Sequence, residues 1–166
     1  KPHELYLGRF LLFFVMGQIQ SLIIVLGDLY LLKVSCDHPG LLILTASVAS
    51  FVFVLLIYTL TLSFGDVGKT IAVVMVVIQI AGSSGTFPIE LLPQFFQNVY
   101  LYFPFPYAIN AMREAISGMY EMNYFIYMGK LLIFAAASLL LGLVIRKPFI
   151  PLNHFFEEKM KETKMM

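Results

Sequence analysis

The chain has 166 residues, 60% hydrophobic and 13% charged, with a formal net charge of +1 and a mean hydropathy of +0.86. Soluble domains are about half apolar and about a quarter charged, so this chain has too little charge to coat a water-exposed globule. The near-neutral balance also argues against a disordered chain or a nucleic-acid binder, and the single cysteine, Cys36, excludes an intrachain disulfide or a CxxC site.

What remains is an integral membrane protein. A span needs about 20 mostly apolar residues, and four stretches qualify. The expected fold class is all-α: four transmembrane helices over 10–32, 41–64, 70–89 and 127–145, with an outer re-entrant or interfacial helical hairpin over 89–118. Residues 1–147 form the membrane domain and 148–166 a cytoplasmic tail. The chain opens on Lys1 rather than Met, as a fragment of a longer chain would.

The first span is interrupted by Gln18, Gln20 and Asp28. Gly17, Gln20, Ser21, Ile24, Gly27, Asp28 and Leu31 fall on one side of it. An ionisable group inside a span is a functional candidate by default, which makes Gln20 and Asp28 candidates for a polar substrate path. Small and polar residues also hold helices together, and Asp28 lies a turn from the outer end where water reaches it.

The second span carries no charge. Ala46 and Ser50 give it the small-xxx-small spacing of close helix packing, as Ser138 and Gly142 do in the fourth. After it, Gly65-Asp66-Val67-Gly68-Lys69-Thr70 looks like the end of a phosphate-binding loop. The full pattern needs Gly at position 63, which is Ser63, and a preceding strand in place of a span. The expected structure is a tight cytoplasmic turn with Lys69 at the inner interface. The chain then holds no ATPase, and neither a cofactor nor enzymatic activity is expected. No HExxH or GxSxG motif points to an intramembrane enzyme.

The third span ends in a small, polar segment. Gln79, Ser83, Ser84 and Thr86 suit an outer gate or substrate-contacting surface. They equally suit a hinge, since Gly82 and Gly85 weaken the helix.

The connection that follows is broken by Pro88, Pro93, Pro104 and Pro106, yet rich in Phe, Tyr, Leu and Ile. Ile89, Leu92, Phe96, Val99 and Phe103 recur at helical spacing. A second short helix begins near Pro106 and stops at Gly118. Ile109, Met112, Ile116 and Met119 share one face of it; Asn110, Arg113, Glu114 and Ser117 share the other. Arg113 and Glu114 are adjacent, so each needs another partner, which Glu90 or Asn110 supplies. These four residues form a candidate clamp for the hairpin, or a salt bridge that opens during transport. Tyr100, Tyr102, Tyr107, Tyr120, Tyr124 and Tyr127 fit an aromatic belt at the outer interface.

Lys130 lies near the start of the fourth span. Arg146-Lys147 is a basic stop, Pro148 and Pro151 break the helix, and Asn153 suits the cap of a short charged helix. With four spans, Lys1, Arg9, Lys69, Arg146, Lys147, Lys159, Lys161 and Lys164 fall on one side; Lys33, Arg113 and Lys130 fall on the other. The positive-inside rule puts both termini in the cytoplasm. His3, His38 and His154 lie in three separate loops, so no metal site is expected.

The run Gly85-Thr86-Phe87-Pro88-Ile89-Glu90-Leu91-Leu92-Pro93-Gln94-Phe95-Phe96-Gln97 resembles the GGTFP…LP.FFQ signature of the YhgE/Pip (phage infection protein) family. Pro106-Tyr107-Ala108-Ile109-Asn110-Ala111-Met112-Arg113-Glu114-Ala115-Ile116-Ser117-Gly118 resembles its following P..YA…LRE.ISG run. Gly65 to Lys69 matches its G..GK turn, and Gln79 its glutamine. Ser84 departs from the more usual Gly. The resemblance covers nearly the whole chain. It implies the C-terminal membrane domain of such a protein, with a type-2 ABC transporter permease-like fold whose last four of six spans lie here. It further implies a bacterial plasma-membrane location, a homodimer or heterodimer, and a possible cytoplasmic ABC ATPase partner. The implied function is outward transport of a substrate, with the re-entrant helices as an outer lid. The alternative is an ATPase-independent anchor for an extracellular domain acting in phage adsorption or type VII secretion.

Overall fold

The computed structural model describes residues 2–83, 85 and 88–145, whose regular elements are all helical, without strands. Five α-helices follow in order: α1 Pro2–Leu26, α2 Pro39–Gly82, α3 Gln94–Val99, α4 Phe105–Ser117 and α5 Asn123–Leu140. Wide π turns extend α1 over Gly27–Leu31 and α5 over Leu141–Ile145. The stretches Tyr6–Leu31, Pro39–Gly82 and Asn123–Leu143 are long and apolar enough to cross a membrane.

A straight helix of the 44 residues of α2 would be about 66 Å long, roughly twice the hydrocarbon thickness of a bilayer. It is not straight. Gly65 leaves the helical region at φ 58, ψ −130, a conformation open to glycine and strained for residues with a Cβ. Beyond it the chain doubles back. A Cβ on Gly68 would lie 2.0 Å from the Leu60 carbonyl oxygen, whereas these residues would be about 12 Å apart along a continuous helix. α2 is thus a hairpin of two arms, 39–64 and 66–82. The glycine-rich turn is where the sequence puts it, and Lys69 closes onto Asp66 at 2.8 Å within the second arm.

The element ends differ from the sequence expectation in physical detail. α1 starts at Pro2 rather than near residue 10, because a charge such as Arg9 limits burial in lipid and not helicity. The second arm starts at Asp66 and stops at Gly82, short of residue 89, where Gly82, Ser83 and Gly85 leave the helix unsupported. The apolar periodicity over 89–103 does not make one helix. Pro93 forces Leu92 into extended geometry (ψ 155), so the stretch splits into a 3-10 turn at Ile89–Leu91, α3, and a second 3-10 turn at Tyr100–Tyr102. α4 matches expectation closely, with Pro106 in its first turn and Gly118 at φ 94 after its end. The fourth expected span begins earlier, at Asn123. The tail 148–166, with Asn153 and His154, lies outside the described residues, as do Arg146 and Lys147.

The first arm of α2 is the centre of the bundle, packed against α1, α4 and α5. Ala49, Val52 and Leu55 meet Tyr107, Ala108, Leu131 and Ala135 in one core cluster. Leu42 and Ala46 meet Val25, Ala111, Ala115 and Tyr124 in another. Outside this core the surface is apolar: Ile23 is 65% exposed, Val73 63% and Ile133 67%. Apolar surface on this scale is the mark of a bilayer-facing protein.

The small residues in the spans pack within the chain. α1 sits at Gly17 directly against Ser50 and Val54, where a Cβ would come within 2.8 Å of Val54 and 3.0 Å of Ser50. Gly142 is pressed on Tyr6, whose hydroxyl and ring carbons would crowd a Cβ there. Hydrogen bonds join the same helices: Tyr6 to Thr59 at 2.6 Å, Tyr58 to the Tyr6 carbonyl at 2.9 Å, and Gln18 to the Ser47 carbonyl at 3.0 Å.

Candidate functional site

A cleft of about 790 Å³ lies between α1, the first arm of α2 and α4. Gly17, Gln20, Ser21, Ile24 and Asp28 contribute the α1 wall, the same side that the residue spacing singles out. Phe105, Ala108, Ile109, Met112 and Ile116 contribute the α4 wall. Gln20 is exposed and Asp28 half-buried. Asp28 is the ionisable residue of this lining, and the rest is almost all apolar.

The second group of expected residues stands apart from the cleft. Gln79 is 1% exposed and Ser83 3%; Ser84 and Thr86 lie outside the described residues. The Phe105 backbone N–H donates to Gln79 Oε1 at 3.3 Å. This N–H is one of the donors that a helix start leaves without an intrahelical acceptor. Pro104, at the cap position, gives α4 no side-chain cap, so Gln79 caps it from the second arm of α2. The Phe105 ring lies on Phe53, with centroids 5.0 Å apart, and lines the cleft. Phe105 therefore stands between the buried Gln79 amide and the open cavity. Its place at a helix start was legible in the sequence, but its partners were not.

The hairpin residues sort into separate local ties. Arg113 donates to Asn110 Oδ1 and to the Gly85 carbonyl, each at 3.4 Å. Asn110 donates to the Tyr100 hydroxyl at 3.3 Å. Glu114 accepts from the Tyr120 N–H at 2.7 Å and folds the turn after α4. Glu90 is exposed, and its backbone carbonyl accepts from Gln97 Nε2 at 3.4 Å.

Two supports of the hairpin were missed from sequence. The buried face of α4 is its alanine stripe, Ala108, Ala111 and Ala115, at 4%, 0% and 0% exposure. Helical spacing of small residues was the available signal. The last-turn carbonyls of α4 are satisfied from the α1–α2 connection: Asp37 N–H donates to Ile116 O at 3.1 Å and His38 N–H to Ala115 O at 3.0 Å. Cys36 Sγ also donates to Ala115 O, at 3.3 Å.

The tyrosines do not form a uniform belt. Tyr107 and Tyr124 are 7% and 2% exposed, against 77% for Tyr102. Tyr124 bonds Thr45 at 3.0 Å. Burial, reinforced by Tyr100, raises the Tyr107 pKa above its ordinary value. Its hydroxyl therefore stays protonated and donates to the Leu101 carbonyl at 2.8 Å. Lys130 lies 4.9 Å above the Tyr107 ring. Among the described residues no three His, Cys, Asp or Glu side chains come together to hold a metal.

Lipid-facing helices around a cleft with one polar end define a multi-pass membrane protein. The chain belongs to the ABC-2 family of transporter proteins, whose family model matches residues 1–144. It is also similar to YhgE of Bacillus subtilis (strain 168), a protein described as uncharacterized: 33% identical over 114 residues, 69% of this chain and 15% of that protein. The chain thus spans about 15% of the length of that relative. No solved structure matches it. It is a YhgE-like, type-2 ABC permease-like domain, of a family of membrane transporter components.

Proposed function

We propose that this domain moves a substrate outward as part of a type-2 ABC exporter, working as a dimer and driven by a separate cytoplasmic ATPase. The observation that carries this reading is the polar face of α1, with Gln20 and Asp28, turned to a cleft that α4 helps to wall. Polar groups at membrane depth stand where they serve a path or a partner.

In this reading each arm of α2 is a span, giving four spans that are the last four of six. The arms, at about 39 Å and 25 Å, bracket the roughly 30 Å of hydrocarbon. The Gly65 turn and both ends of the chain face the cytoplasm, in a bacterial plasma membrane. Gln20 and Asp28 line the substrate path. Gln79, Ser83, Ser84 and Thr86 form the outer gate, with Gln79 holding the start of α4. Glu90, Asn110, Arg113 and Glu114 clamp the hairpin. ATP binding drives transport by favouring one arrangement of these elements over another.

The test uses the full-length protein. It should co-purify with an ABC ATPase and stimulate its turnover. Asp28→Asn and Gln79→Leu should each lower that stimulation per amount of folded protein. Lack of any stimulated ATPase, with loss of activity only on removing the extracellular region, would replace the exporter by an anchor.

A further inference from the structure

We infer that the α1–α4 cleft binds a single-chain membrane amphiphile with a cationic head, its tail along the apolar walls and its head on Asp28. This rests on the reading of the cleft as a substrate path and names the substrate class.

The cleft lies along α1 from Gly17 to Asp28, a rise of about 16 Å. That is close to half of the roughly 30 Å hydrocarbon layer, the depth of one leaflet. The Gly17 end is shut, because there α1 rests directly on Ser50 and Val54. A spanning helix would have to run past that closed end; an acyl chain fits within it. Ile24 lines the cleft while 56% exposed, beside Ile23 at 65%. The opening therefore lies on the exposed apolar surface of α1, and in this reading a ligand reaches it there from lipid. Its volume of about 790 Å³ is within the usual range of ligand pockets, about 300–1,000 Å³.

The head is specified by charge. Asp28 is half-buried at the end opposite Gly17 and has no side-chain partner among the described residues. A carboxylate beside apolar walls is costly until a cation or donor joins it. An ammonium head supplies both charge and hydrogen bonds, whereas an anionic head is repelled. Gln20 and Ser21, deeper on the same wall, are neutral and add no competing charge.

The test is equilibrium photolabelling of the full-length protein in phosphatidylcholine nanodiscs, without nucleotide. The probes are octadecylamine, octadecanol and octadecanoic acid, each carrying the same mid-chain diazirine. The amine should label peptides containing Ile24 and Met112 about tenfold more than the alcohol does, the ratio of a charge-assisted hydrogen bond. The acid should label them least. Asp28→Asn should bring the amine down to the alcohol level, and Asp28→Glu should restore the preference. Equal labelling by amine and alcohol, or an amine preference that survives Asp28→Asn, overturns the charge assignment. Absence of cleft labelling by every probe overturns the site, as when another protein segment fills it. Because no turnover is read, labelling as expected together with a failed ATPase test would remove the exporter reading alone.

Discussion

The methyl group of an alanine at position 68 would sit 2.0 Å from the Leu60 carbonyl oxygen, a backbone atom that cannot swing aside. Gly68→Ala should therefore prise the two arms of α2 apart, at about 1–3 kcal/mol. Gly65→Ala, at φ 58 and ψ −130, should cost about 1–3 kcal/mol for a backbone conformation that only glycine adopts readily. Gly129, with nothing within 4 Å of a Cβ, is the control; alanine there should gain up to about 1 kcal/mol of helix propensity. Thermal unfolding in one detergent ranks the three, and equal effects at 68 and 129 would contradict the close approach. The buried Thr45–Tyr124 pair at 3.0 Å belongs at the same scale. A double-mutant cycle with Thr45→Val and Tyr124→Phe should return a coupling of about 0.6 kcal/mol, the usual size inside membranes.

Among the elements, α4 depends most on its neighbours. Its start is capped by Gln79 and its last carbonyls by the backbone of 37 and 38. Gln79→Leu removes the acceptor for the Phe105 N–H, a loss of about 1–3 kcal/mol. The same change also removes Nε2, a buried donor with no partner among the described residues, so the net loss should be about 1 kcal/mol. The local effect is sharper than the global one. Hydrogen exchange should speed up at the first turn of α4 and stay unchanged in the first arm of α2. Uniform acceleration would mean that Gln79 acts on the bundle at large. At the other end, Gly118 holds φ 94 and a Cβ there would meet Asp37 Oδ2 at 2.9 Å. Gly118→Ala should therefore loosen both the end of α4 and the α1–α2 connection, seen as faster exchange at the Asp37 and His38 amides.

Over the whole molecule, apolar residues cover the outside of α1, the second arm of α2 and α5, while the buried core is narrow and rich in alanine. The bilayer supplies the apolar surroundings that a soluble protein must build internally, so close contact of small residues replaces a thick hydrophobic core. The four-span reading makes a topological prediction. In a Cys36→Ala background, Lys69→Cys and Tyr102→Cys should react with a membrane-impermeant maleimide from opposite faces of the membrane. Both positions are exposed, so each is open to the reagent. Reaction from the same face would rule out the second arm as a span.

The sequence by itself determined the membrane class, the long apolar helices, the sharp turn at Gly65 and the stop at Gly118. These follow from local causes: apolar runs of spanning length, and glycines and prolines that punctuate them. It also determined that Gln20 and Asp28 share one side of α1, since helical spacing alone decides that. Only the tertiary structure decided what that side faces, because α4 reaches it through a chain broken at Pro93 and Pro104. It buried Gln79 and Ser83 away from the cleft lining and put Phe105 between the Gln79 amide and the cavity. It also gave Arg113 and Glu114 different partners. Each of these contacts joins residues that local periodicity cannot relate, and each depends on how closely the glycines and alanines let the helices approach.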